Sequence, residues 1–409
     1  MKTIPAILSL LTLAAVAAEP ECQSRPLFDG KTLDGWKGDG YVVEDGAIVC
    51  TPKGRNLVTE RIFANYILDF EFKLPPGGNN GLGIHYPGEG DAAYTGMEIQ
   101  VLDDTAEKYK DLKDYQFHGS IYTMVPAKKG HLKPVGEWNK ERVTVMGDTV
   151  KVELNGVTIT EADLSELQKK HPKHKGVRRR AGHIALCGHG DKVAFRNLNI
   201  CELPPAANVE EVKKQGFERI FDGESLAGWK TGEGDHWTAA NGVLMYDGKG
   251  RHLWTAKSYK DFTMVFDWRW AAPGPVMDRP IIGRDGNDTG QKVRVQELDS
   301  GIYLRGTEKS QVNLWNWPVG SGEVWGYRTD KNMSPEVRAA VTPKLKADRP
   351  VGEWNRMMIT MKGDQLTVVL NGLTVINGAT LPGVPPEGAI ALQHHGSKLD
   401  FANLWIKEH

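Results

Sequence analysis

The stretch Leu27-Phe28-Asp29-Gly30-Lys31-Thr32-Leu33-Asp34-Gly35-Trp36 returns in the second half of the chain as Ile220-Phe221-Asp222-Gly223-Glu224-Ser225-Leu226-Ala227-Gly228-Trp229. Three further segments recur in the same order. Gly136-Glu137-Trp138-Asn139 returns at Gly352-Glu353-Trp354-Asn355, Leu154-Asn155-Gly156 at Leu370-Asn371-Gly372, and Ile184-Ala185-Leu186-Cys187-Gly188-His189-Gly190 at Ile390-Ala391-Leu392-Gln393-His394-His395-Gly396. Ordered recurrence of this kind marks a tandem duplication. It predicts a first domain over 19–203, a linker over 204–216 that carries Pro204-Pro205, and a second domain over 217–409.

Inside each copy the pattern is strand, turn, strand. Ile67-Leu68-Asp69-Phe70-Glu71-Phe72-Lys73 and Met97-Glu98-Ile99-Gln100-Val101 alternate apolar and polar with the period of two that sends successive side chains to opposite faces of a sheet. Val143-Thr144-Val145 and Val150-Lys151-Val152-Glu153-Leu154 flank Gly147-Asp148, and Asn155-Gly156 follows, so hairpins are expected. Helical pattern is scarce, the best case running from Glu161 to Lys170. With 46 Gly, 22 Pro and 12 Trp in 409 residues, many short strands are favoured over long helices. Antiparallel strands in a domain of this size predict an all-β fold of two packed sheets, a sandwich or jelly roll.

Residues 1–18 stand apart. Lys2 precedes an apolar run from Ile4 to Val16, and Val16-Ala17-Ala18 supplies the small residues of a cleavage site, so a signal peptide cut after Ala18 is expected, with a secreted or periplasmic product. The run is short for a membrane span, which needs roughly 20 residues. Export would let Cys22, Cys50, Cys187 and Cys201 pair. Three connectivities are open; Cys22 and Cys201 flank the first half and are favoured as one pair, which leaves Cys50 with Cys187, or both as free buried thiols. With 51 basic and 52 acidic side chains, no global field draws the protein to nucleic acid or anionic membrane. The basic run from Lys169 to Arg180 lacks interleaved aromatics and reads as a solvated loop.

If Phe70, Phe72, Leu82, Ile84, Ile99, Val101 and Ile121 point to the core, then Asp69, Glu71, Lys73, His85, Glu98, Gln100, Ser120 and Tyr122 share the other face. Carboxylates, an amide, a cation and an imidazole beside aromatic rings suit a polyhydroxylated ligand, which needs planar donor and acceptor pairs and an apolar surface.

The opening repeat, the strand Gly96-Met97-Glu98-Ile99-Gln100-Val101-Leu102-Asp103, Gly136-Glu137-Trp138-Asn139 and the closing His189-Gly190 through Phe195-Arg196-Asn197 resemble the 3-keto-disaccharide hydrolase domain. In the second half Gly301-Ile302-Tyr303-Leu304-Arg305-Gly306 and Gln311-Val312-Asn313-Leu314-Trp315 carry the same likeness. The resemblance implies two tandem concanavalin A-like, lectin/glucanase-type β-sandwiches and cleavage of a glycoside already oxidised at C3. A ketone at C3 acidifies the C2 proton; a base removes it while an acid protonates the leaving oxygen at C1, and hydration of the unsaturated sugar completes a net hydrolysis. Under this reading Glu98 is base or acid with His85 or His118 as partner, and Lys73 stabilises the enolate. Glu71, Gln100, Asp103, Tyr122, His189 and Arg196 bind substrate, the histidine either lining the site or tying a turn.

Aligned by motif, Glu98 meets Gln311 and Gln100 meets Asn313, while Glu71 and Lys73 meet Asp267 and Arg269. The second copy thus keeps hydrogen-bonding shape and loses carboxylates on its central strand. Glu323 and Arg305 would restore an acid and a cation there, with Tyr303 and His395 beside them, and Trp315, Trp317, Trp325 and Tyr327 are either stacking platforms or core aromatics. No metal motif is present. Asp285-Gly286-Asn287-Asp288-Thr289-Gly290 has Gln296 where a calcium loop needs Glu, so it reads as a turn; Ca²⁺, which lectin-like sandwiches often carry, stays open without an assigned place. The expected function is an exported glycoside-cleaving enzyme acting on 3-keto-disaccharides, its rival a non-catalytic, lectin-like carbohydrate-binding surface protein. An ordinary glycosidase would need two acids about 5–10 Å apart, for which Glu98 with Glu71 or Asp103 is the pair available.

Overall fold

The computed structural model describes residues 22–207, 209–232 and 236–409. The expected leader lies outside them. Each copy is a sandwich of an eight-stranded and a five-stranded antiparallel sheet, and the two copies share one strand order. In the first, the large sheet runs Val157–Asp163, Thr149–Leu154, Trp138–Met146, Tyr66–Lys73, Ala194–Glu202, Ala47–Cys50, Tyr41–Glu44, with Arg25–Pro26 also paired to Ala194–Glu202. The small sheet runs Trp36–Lys37, Asn56–Thr59, His183–Cys187, Asn79–Tyr86, Met97–Leu102. The predicted concanavalin A-like β-sandwich is therefore the fold of both copies.

The local signals act as their chemistry requires. Met146 pairs with Thr149 across Gly147-Asp148, and Leu154 with Val157 across Asn155-Gly156, whose φ angles of 50° and 87° fit a left-handed two-residue turn. Asp163 caps the one helix anticipated, Leu164–Lys170, by accepting from the Glu166 N–H. Leu68, Phe70 and Phe72 from the large sheet meet Leu82, Ile84, Ile99 and Val101 from the small one in a closed core, each contributing about 1.5–3 kcal/mol by burial. Asp285-Gly286-Asn287 is a turn, as read, but it closes a hairpin of Val276–Ile282 and Asp288–Gln296 that the first copy lacks.

Cys22 and Cys201 form a disulfide, tying the start of the first domain to its last strand, whereas Cys50 and Cys187 are free and buried. The arginines of the basic run bind their own chain: Arg179 donates to Thr95 O and Arg180 pairs with Asp148. Among the described residues no helix is long and apolar enough to cross a membrane.

The domains meet through a buried charge cluster. Arg61 and Arg269 clasp Glu202 and Asp400 between them, and Ile62, Ala64 and Ala181 pack against Val351 and Trp354 beside it.

Candidate functional site

The Met97–Leu102 strand sends Met97, Ile99 and Val101 into the core and Glu98, Gln100 and Leu102 outward, into a cavity of about 350 Å³. Both faces of this strand are buried because the segment after it, including Tyr109, Gln116 and Tyr122, folds back over its outer face. On the neighbouring strand Gly83 stands opposite Glu98 and Gly81 opposite Gln100. A Cβ on Gly81 would lie 1.8 Å from Glu98 Oε1, so the missing side chain is what lets the carboxylate lie across the strand.

Glu98 is 7% exposed, and its Oε1 has no hydrogen-bond partner. His189, just past the His183–Cys187 strand, brings Nε2 to 3.9 Å from that oxygen. The contact is longer than a hydrogen bond and acts through charge; Glu98 raises the affinity of the His189 ring for a proton, against the effect of burial. Gln100 Nε2 donates to Asn79 Oδ1 at 2.7 Å, which fixes both amides. Gln116 Nε2 donates to the Tyr122 hydroxyl at 3.3 Å, so the hydroxyl proton is free to donate into the cavity. Asp91, the N-cap of the short helix Ala92–Thr95, and Tyr94 within that helix also line the cavity.

Thus Glu98, Gln100, Tyr122 and His189 come together, and the other first-copy candidates do not. Tyr66–Lys73 belongs to the large sheet, so its polar side chains emerge on the far side of the sandwich: Glu71 pairs with Arg196 at 2.7 Å, and Lys73 Nζ lies 4.9 Å from the centre of the Trp138 ring. Arg196 covers the same ring. His85 has φ of 50°, which breaks the alternation, and is fully enclosed; burial pushes its pKa down to about 3. His118 sits inside the sandwich against Phe72, accepts from the Leu102 N–H, and lies 3.0 Å from buried Glu141. Both oxygens of Asp103 are engaged, by the Gly77 N–H and the Thr105 hydroxyl, and Ser120 accepts from the Ala127 N–H. Glu71 is therefore no partner for Glu98. Asn79, Asp91, Tyr94, Tyr109 and Gln116 line the cavity without having been anticipated; Asn79 was legible as the residue two before Gly81, on the same face, whereas the others lie in or beside helical turns of three or four residues, too short to show a period.

The second copy has a cavity of about 500 Å³ at the equivalent place, lined by Gln311, Asn313, Tyr303 and His395 as anticipated, and by Asp299 and Gln393. Trp325 is half exposed on its rim, Trp317 lies between Trp315 and Arg279, and Tyr327 is core. Four candidates serve structure instead. Asp267 pairs with Arg356 and accepts from Asn403; Arg269 belongs to the interdomain cluster; Arg305 donates to the carbonyls of Lys260, Gly363 and Pro385; Glu323 is enclosed with Arg328. Among the described residues no three His, Cys, Asp or Glu side chains converge as a metal site.

The chain is thus a duplicated β-sandwich in which a carboxylate, a histidine, amides and at least one tyrosine gather over each small sheet. Residues 23–201 and 216–407 both match the family of the 3-keto-alpha-glucoside-1,2-lyase-like domain, and the chain belongs to that family. It is similar to a 3-keto-disaccharide hydrolase of Bacteroides thetaiotaomicron, 29% identical over 225 residues that cover 42% of this chain and 76% of the relative. Two solved structures of glycosyl hydrolase candidates from Parabacteroides distasonis each cover 44% of this chain. One is 30% identical with all of its chain covered, the other 27% identical with 94% covered, each at a TM-score of 0.40.

Proposed function

We propose that the first domain cleaves glycosides already oxidised at C3 of the sugar, with Glu98 and His189 moving the protons. The observation that carries this is a buried carboxylate with one oxygen lacking a hydrogen-bond partner, on a residue that lines a sugar-sized cavity beside a histidine whose protonation it favours. Glu98 takes the C2 proton, the C–H electron pair becomes the C1=C2 bond, and the C1–O bond breaks as His189 protonates the leaving oxygen. Water then adds across the double bond, oxygen to C1 and hydrogen to C2, so that the sum is hydrolysis. The Tyr122 hydroxyl donates to the C3 oxygen, where enolate charge develops. The family and the Bacteroides relative support the 3-keto substrate class.

The test is incubation of the protein with 3-keto-lactose and 3-keto-trehalose beside the unmodified disaccharides. Turnover of the keto sugars alone, lowered in Glu98→Gln, supports the reading; binding of either class without turnover makes the protein a lectin instead. Action outside the cytoplasm belongs to the same proposal, supported by the leader pattern and by the Cys22–Cys201 bond, which needs an oxidising compartment to form.

A further inference from the structure

We propose that the second domain holds a cleavage site of its own, in which Asp299 faces the repeated histidine in place of the carboxylate missing at Gln311. The two cavities share one backbone register. Gly81 pairs with Gln100, and Gly301 with Asn313; the Gln100 N–H donates to Ser120 O at 3.0 Å, and the Asn313 N–H to Glu323 O at 2.8 Å. In that register Glu98 corresponds to Gln311, and Asn79 to Asp299. Carboxylate and amide have exchanged strands between the copies, and each cavity retains one acid against its histidine: Glu98 lies 3.9 Å from His189 Nε2, and Asp299 lies 3.6 Å from His395 Nδ1.

A tyrosine serves this cavity too, from a different position: Tyr303 stands where the first copy has Gly83. Gln393 Nε2 donates to the Tyr303 hydroxyl at 2.9 Å, as Gln116 does to Tyr122, which again leaves a phenolic proton to donate into the cavity. A site that only binds sugar gains its planar donor and acceptor pairs from amides and has no need of a carboxylate withdrawn from water, which is costly to keep charged. Burial, with Glu297 adding to it, raises the Asp299 pKa to about 6 against the opposing charges of His395 and Arg279, so the group exchanges a proton near neutrality.

The reaction class is the one proposed for the first cavity, and the inference rests on that class but not on Glu98. Asp299 takes the C2 proton, the electron pair forms C1=C2, the C1–O bond breaks with a proton from His395, and water adds across the double bond. The substrate differs in size. The loop carrying Asp91 and Tyr94 is replaced here by the two-residue turn Arg305-Gly306, between paired Leu304 and Thr307, and the cavity is the larger of the two. Half-exposed Trp325 supplies a ring at the rim, so a 3-keto-glycoside with a longer or aromatic leaving group fits best.

The experiment compares the full chain with Glu98→Gln, Asp299→Asn and the double variant on 3-keto-trehalose and on p-nitrophenyl 3-keto-glucoside, each variant first shown to melt as the parent does. His395→Gln, at a half-exposed side chain, stands in for Asp299→Asn if the latter fails to fold. The expected result is residual turnover in Glu98→Gln, greatest on the nitrophenyl substrate, that falls by on the order of 10²-fold or more when Asp299 or His395 is also changed. Its acidic limb is expected near pH 6. If Glu98→Gln already matches the double variant on both substrates while Asp299→Asn matches the parent, the inference fails and the first-domain reading stands. If Asp299→Asn removes all turnover and Glu98→Gln none, the first-domain reading fails and the inference stands. No turnover by the parent overturns both.

Discussion

Arg61 of the first domain holds Asp400 of the second with Nη2 2.7 Å from each carboxylate oxygen. Arg269 reaches the same pair of acids from the other domain, 2.7 Å from Asp400 and 2.5 Å from Glu202, and donates to Ile62 O across the boundary. The cluster thereby ties the two sandwiches together. Asp400 is fully buried, so Asp400→Asn leaves two guanidinium groups short of a counter-charge, a loss of about 3–5 kcal/mol for a broken buried pair. Calorimetry is expected to show a lower midpoint and a split into two transitions; a single unshifted transition would mean that the cluster does not couple the domains.

Acid should act on the same cluster through Glu202. Burial alone would raise its pKa, but Arg61, Arg269 and Arg25 outweigh that and hold it at about 2, below the ordinary 4.5. A depressed folded-state pKa means that the group's stabilisation is present above the unfolded value and is lost as pH falls through the folded one. Denaturant midpoints measured across this window should therefore fall steeply between about pH 4.5 and pH 2. Removing the titrating group in Glu202→Gln should lower stability at pH 7 and flatten the acid slope. A slope equal to the parent's would assign acid sensitivity elsewhere.

His189 titrates above its ordinary value because Glu98 favours the charged ring. Its Cε1 proton, followed by NMR, should move with an apparent pKa above 6.5, and Glu98→Gln should bring that value down, since burial then acts unopposed. The protonated ring is the acid of the proposed reaction, so kcat should decline as pH rises through the same value. A titration that Glu98→Gln does not move would separate the two side chains.

The duplication, the hairpin turns and the alternation of Tyr66–Lys73 and Met97–Leu102 were all legible, because each is a local pattern with one stereochemical solution. Sheet membership was not. Glu71 and Glu98 both point away from the core, and a period of two says nothing about which outer face a strand presents; pairing of Tyr66–Lys73 with Trp138–Met146 puts Glu71 on the far side. His85 escaped because one left-handed residue reverses the alternation. Tyr94, Tyr109 and Gln116 sit in helical turns of three or four residues, too short to carry a period. His189 had a usable signal, its recurrence as His395 in both copies, and the paired acid became visible only when Asn79 and Asp299 were aligned through their strands.

Gly81 links fold to chemistry most directly. Its neighbour across the ladder is Gln100, and the space above its Cα is filled by Glu98, whose Oε1 would be 1.8 Å and Cδ 2.5 Å from an added Cβ. Its φ does not fall in the left-handed region, so alanine meets no φ penalty; the three nearest atoms all belong to the Glu98 side chain, Cγ among them at 2.6 Å. Gly81→Ala should therefore fold, with a melting temperature near the parent's, while swinging Glu98 away from His189. A displacement of an ångström at a reacting group costs on the order of 10²-fold in rate, so kcat on a 3-keto-disaccharide should fall by about that factor, and the His189 titration should shift downward as in Glu98→Gln. The matching Gly301→Ala change would meet Gln311 Nε2 at 2.3 Å and should leave the His189 titration untouched. Parent-level turnover in Gly81→Ala, with the His189 pKa unmoved, would show that Glu98 does not need to lie across the strand to work.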